Sequence, residues 1–153
     1  MSDRRFTIDT NILVYALDRN AGHRHMLASR IIAQAVLRDC WLTLQSISEF
    51  YAAVIRKRLV SRPEAAAQAH DWLDLFRTAP VSADAVRAAL ASADAGRASY
   101  WDALLVATAA EAGCTAILTE DLSDGSILHG VRVLNPFAGT TLAPEAESLL
   151  ASG

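Results

Sequence analysis

The segment Ala116-Ile117-Leu118 is apolar at every position and follows a long helix-forming stretch without a hairpin turn. A strand that offers water neither face must be covered on both, the condition of a parallel sheet between two helical layers. The rest of the chain alternates to match. Strand-like segments at residues 5–9, 41–44, 78–81 and 115–119 are separated by segments with helical spacing of apolar residues, and residues 131–134 add a fifth. The expected helices cover Thr10–Leu17, residues 23–38, Ser46–Leu59, Glu64–Arg77, Ser82–Ala95 and Trp101–Ala112. Ser46-x-x-Glu49 reads as a capping box, Pro63 suits a helix start, and Gly96 and Gly113 mark helix ends. The pattern predicts a three-layer α/β/α sandwich around a central, mainly parallel sheet of four to five strands. Pro144–Leu150 adds a short helix at the tail.

At 153 residues the chain suits one domain, and 52% hydrophobic residues exclude intrinsic disorder. No apolar run approaches the roughly 18 residues of a membrane span, and residues 1–6 carry no signal-like apolar core. Cys40 and Cys114 make no disulfide framework and read as small buried hydrophobes, so the expected location is cytoplasmic. Charge is polarised along the chain. Residues 1–62 hold 10 Lys+Arg against 5 Asp+Glu, and residues 63–153 hold 4 against 12. Lys57 is the only lysine, and arginine grips phosphate bidentately where lysine offers a point charge. Such a map suits a basic rim for a polyanion beside an acidic centre.

Ligands of open parallel sheets bind beyond the carboxyl ends of the strands. Asp9 closes the first strand, Glu49 lies a turn past the second, and Asp121 follows the fourth. Asp102 opens the helix that leads into that fourth strand. Each acid has a structural job available: helix cap for Asp9, capping-box partner for Glu49, helix-dipole partner for Asp102, turn residue for Asp121. All four jobs nevertheless put a carboxylate at the same edge of one sheet. Crowded carboxylates repel unless a cation lies between them, and hard oxygen donors select Mg²⁺ or Mn²⁺.

These residues carry a resemblance. Asp9-Thr10-Asn11, Ser46-x-Ser48-Glu49, Tyr100-Trp101-Asp102-Ala103-Leu104-Leu105 and Ile117-Leu118-Thr119-Glu120-Asp121-Leu122 together resemble the PIN domain, close to VapC-type toxins of toxin–antitoxin pairs. The likeness covers residues 1–137, and residues 138–153 form a tail or short helix of the same domain. It implies a ribonuclease that uses Mg²⁺ or Mn²⁺ held by Asp9, Glu49, Asp102 and Asp121, with the cation activating water against the scissile phosphate. Thr10, Asn11 and Thr119 correspond to polar residues that support the acids. An RNA substrate, a cognate antitoxin and a homodimer are implied too. Where many relatives have a phenylalanine three residues past the last acid, this chain has Asp124 followed by Gly125. Asp124 is therefore an accessory ligand candidate, and Glu120 should point away from Asp121.

Arg19 and Arg24, flanking the loop after the first helix, are the expected RNA contacts. Arg4 and Arg5 begin the first strand and belong at its far end from Asp9. Arg56-Lys57-Arg58 ends the Glu49 helix, where cations favour the dipole, a full helix from the acids. Tyr100 and Trp101 offer either base stacking or packing. A phosphotransferase or receiver domain would need Asp-x-Asp after strand one or a lysine on a late strand, and the chain has neither. The remaining alternatives are a non-catalytic PIN-like binding module and a housekeeping RNA-processing nuclease.

Overall fold

A computed structural model describes residues 4–151; the first three residues of the expected domain and the last two of the expected tail lie outside the described residues. The first half runs β1 (Phe6–Ile8), α1 (Thr10–Tyr15), α2 (His23–Ala35), β2 (Trp41–Thr43), α3 (Leu44–Arg56) and α4 (Arg62–Leu75). Then follow β3 (Arg77–Ala79), α5 (Ala83–Asp94), α6 (Tyr100–Glu111) and β4 (Ala116–Leu118). The chain closes with β5 (Ile127–Leu128), β6 (Val131–Leu134), β7 (Phe137–Ala138), β8 (Thr141–Leu142) and α7 (Pro144–Ala151).

The sheet is built on the fully buried pair β1 and β4, parallel with Phe6 opposite Ala116 and Ile8 opposite Leu118. β6 pairs parallel to the other side of β4, and β5 turns back antiparallel along β6. β2 and β3 form a second parallel pair that joins β1 through a bridge between Phe6 and Cys40. Side-chain alternation along β4 separates the two helical layers. Ala116 and Leu118 enter the larger core, shared with Leu13 of α1, Ile31 of α2, Phe50 of α3 and Trp72 of α4. Ile117 faces the opposite way, onto Leu105 and Val106 of α6. α5 packs on α6 through Ala85 and Ala89, whose small side chains let the two helices approach closely. α7 returns to the larger core with Ala146 and Leu150 buried. The three-layer architecture is the one expected.

Local details differ. α3 starts at Leu44, capped by Thr43, whose side chain accepts from the Ser46 amide at 3.0 Å. Ser46 is buried inside the first turn, so it is not the cap. The reciprocal capping box belongs to Ser61 and Glu64 at the head of α4, flanking Pro63. The short β5 and the β7–β8 hairpin add to the expected strands, because two-residue strands carry no periodicity. Arg5 lies at the amino edge of the sheet as expected. It pairs with Asp39 at 3.2 Å, stacks on Trp41 and donates to the Ala112 carbonyl at 2.7 Å. Gly113, at φ +86°, is where this clamp closes: a Cβ there would stand 3.1 Å from the guanidinium. Among the described residues no helix is long and apolar enough to cross a membrane.

Candidate functional site

The ladder of the sheet continues one residue past β1 and β4 and fixes the two chain ends that matter. The Asp9 amide donates to the Leu118 carbonyl at 2.9 Å, and the Thr119 amide donates to the Leu134 carbonyl at 3.0 Å. Asp9 and Thr119 therefore stand side by side at the carboxyl edge. Their side chains meet there, the Thr119 hydroxyl donating to Asp9 Oδ2 at 2.8 Å. The other carboxylate oxygen accepts from the Thr10 amide at 2.6 Å. Thr119 also accepts from the Asp121 amide at 3.1 Å and from Asn11 Nδ2 at 3.5 Å. One threonine thus organises three expected site residues, and all of Asp9, Thr10 and Asn11 take their positions from the β1–α1 turn.

A cleft of about 430 Å³ opens over this edge. Asp9, Glu49, Asp102 and Asp121 all line it, and so do Thr10 and Asn11. Glu49 arrives from the second turn of α3, with Oε1 held by Gln45 Nε2 at 2.8 Å. Asp102 sits in the first turn of α6, three residues past the cap Ser99, where the positive helix end favours a carboxylate. Asp9 is buried, and burial is the main cause that pushes its pKa up to about 6. The hydrogen bonds from Thr119 and Thr10 pull it down, while the charges of Asp121 and Asp102 push it further up. The protein accordingly holds a carboxylate where a bare negative charge is disfavoured.

The other expected residues separate. Glu120 does not line the cleft: it takes the Tyr15 hydroxyl and pairs with Arg24 at 3.0 Å. Arg24 lies over the rings of Tyr15 and Phe137, engaged by Glu120 rather than lining the cleft. Arg19 borders a different cavity, beside Arg58 and Glu64. Asp124 does not line the cleft; its Oδ1 accepts from the Asn135 amide at 2.9 Å and so fastens the loop after β4 to the end of β6. Conversely, Arg56 and Lys57 line the cleft together with the four acids, against the expectation that they lie too far away. The signal is in the sequence: residues 45, 49, 52–53 and 56 recur at helical spacing and share one face of α3.

Among the described residues no three His, Cys, Asp or Glu side chains are already grouped tightly enough to hold an ion. The donor chemistry fits a hard divalent cation all the same. Besides the carboxylates, the cleft holds two buried carbonyl oxygens, Asn11 Oδ1 and Gln45 Oε1, with no hydrogen-bond partner. Buried oxygens left unpaired are costly, and a cation would satisfy them. Glu49 and Asp121 are exposed, so closing on an ion would cost them rotamer freedom and no packing.

No match was found among curated proteins. Among solved structures, the chain is similar to VapC20 of Mycobacterium tuberculosis, a toxin that cleaves the sarcin-ricin loop. The identity is 20% and the TM-score 0.59, covering 76% of this chain and 91% of that one. It is also similar to VapBC2 of Rickettsia felis bound to a promoter DNA fragment, at 13% identity and TM-score 0.60. DNA-bound VapBC of Salmonella typhimurium matches at 13% and 0.59, and both cover 84% of this chain and 96% of theirs. Likeness at such identities speaks for the fold alone. The family model of the PIN domain matches residues 6–123, from the first residue of β1 to the loop that carries Asp121, and the chain therefore belongs to the PIN domain family.

Proposed function

We propose that the chain is a divalent-metal-dependent endoribonuclease and the toxin of a toxin–antitoxin pair. The observation that carries this reading is the convergence of four acids from four separate segments on one cleft, with Asp9 buried at its floor. Asp9, Glu49, Asp102 and Asp121 would hold Mg²⁺ or Mn²⁺, helped by the carbonyl oxygens of Asn11 and Gln45. When bound, such a cation supplies Lewis acidity, drawing charge from the phosphodiester and making water a stronger acid. The chain's own residues supply order. Thr119 and the Thr10 amide fix both oxygens of Asp9, so this donor is positioned before substrate arrives, and Gln45 holds one oxygen of Glu49, which would still have to close on the ion.

The structural neighbours from Rickettsia and Salmonella are toxin–antitoxin complexes, which supports an antitoxin as partner here. Its segment would cover the acidic rim, with an arginine meeting the carboxylates in place of the cation. Induced expression without that partner is expected to halt bacterial growth, and Asp102→Asn is expected to remove the effect. Growth curves with induction check this. Unimpaired growth with a protein that cleaves RNA in vitro would contradict the toxin role and favour an RNA-processing nuclease.

A further inference from the structure

α3 forms one wall of the cleft. Gln45, Glu49, Ala53 and Arg56 follow one another along its wall, with Lys57 at the helix C-cap. From Gln45 to Arg56 the helix rises roughly 16 Å at 1.5 Å per residue. At the first end, Gln45 Nε2 donates to the Trp101 carbonyl at 3.0 Å and so ties Trp101 to the head of α3. The carboxylate of Glu49 stands between the two ends.

The ends differ in chemistry. Trp101 is 62% exposed at the cleft mouth, with Tyr100 edge-on beside it at 5.1 Å. Tyr100 itself packs onto the α5–α6 core, so only the indole is left to an incoming ligand. At the other end, Arg56 and Lys57 make no ion pair and no side-chain hydrogen bond among the described residues. Five other arginines, including Arg24, are each paired with a carboxylate. Attraction to the helix C-terminus accounts for cations in the last turn of α3. It does not account for both of them facing the cleft that holds the acids.

We propose that an RNA strand lies along α3, its phosphates on Arg56 and Lys57 and one unstacked base on Trp101, with the scissile phosphodiester over the carboxylates between. The proposal rests on the ribonuclease reading and narrows it. A base can stack on an indole only when it has left its own helix, so the substrate is single-stranded or a loop, not a continuous duplex. Cations at one end of the path offset the repulsion that four acids exert on a polyanion.

The test is binding of a fluorescent single-stranded RNA oligonucleotide across a salt series, in the cleavage-dead Asp102→Asn background. The double substitution Arg56→Ala/Lys57→Ala is expected to reduce the salt slope by about 1.4, at about 0.7 for each phosphate that is no longer neutralised. Trp101→Ala is expected to weaken binding roughly 5- to 150-fold at every salt concentration and leave the slope alone. Arg19→Ala is expected to change neither. A merely dipolar role for Arg56 and Lys57 would lower thermal stability and spare the slope, overturning the proposal. So would unaltered affinity in Trp101→Ala, or a slope that falls with Arg19→Ala instead. RNA cleavage by the protein with Asp102 restored is measured in parallel. Cleavage with an unchanged slope sinks the strand path alone, whereas a changed slope without cleavage sinks the enzymatic reading and keeps the path.

Discussion

Asp9→Asn is expected to stabilise the protein in chelator at pH 7 by up to about 3 kcal/mol, and to abolish the RNA cleavage proposed for it with Mg²⁺ or Mn²⁺ present. The stability follows from the pKa of about 6 that burial gives Asp9, against an ordinary value of 3.8. Between those two values the folded protein binds more protons at this group than the unfolded chain does. Stability contributed by Asp9 is therefore present below about pH 4 and is lost as pH rises through 6. Asparagine keeps an acceptor for the Thr10 amide and a polar partner for the Thr119 hydroxyl, and it never acquires the charge. The gap between variant and wild type should be widest at pH 7 and close toward pH 4. Urea unfolding in chelator at both pH values measures it. A variant less stable than wild type at pH 7 would mean that the Asp9 charge is already compensated within the fold.

Added Mg²⁺ or Mn²⁺ should reverse that penalty in the wild type. At a hundredfold excess over the dissociation constant, an ion that binds only the folded protein stabilises by about 2.7 kcal/mol. Protons compete with the ion at Asp9, so affinity should fall about tenfold per pH unit once the pH drops below about 6. Asp9→Asn should gain little from either ion. Thermal melts against NaCl of equal ionic strength distinguish site binding from screening. Equal gains in wild type and variant would place any ion elsewhere.

The parts of the fold that are legible in the sequence are those where local pattern and tertiary environment agree. Ala116-Ile117-Leu118 is apolar throughout because it is buried on two faces, and its alternation sends Ile117 to one helical layer and its neighbours to the other. The carboxylates are legible for a related reason: Asp9, Glu49, Asp102 and Asp121 each stand a fixed short distance from a strand or helix end. Local pattern judged without its surroundings misleads. Two Ser-x-x-Glu tetrads bear on helix starts, and only Ser61–Glu64 is a capping box, because Thr43 claims the α3 cap and Ser46 is driven inside. Arg56 and Lys57 look remote when residues are counted from Glu49 along the chain. The helix instead brings them round onto the same wall two turns later. Asp124 stands three residues past Asp121 in the sequence, and the fold gives one of its oxygens a structural partner in the Asn135 amide.

The most direct test is cleavage of a single-stranded RNA by protein stripped of metal, with Mg²⁺ or Mn²⁺ then restored, for wild type and Asp102→Asn. The account predicts no cleavage in chelator, recovery in the wild type on adding either ion, and no recovery in Asp102→Asn despite a normal melting curve. Cleavage that persists in chelator, or an Asp102→Asn protein that cuts at the wild-type rate with metal present, would contradict it.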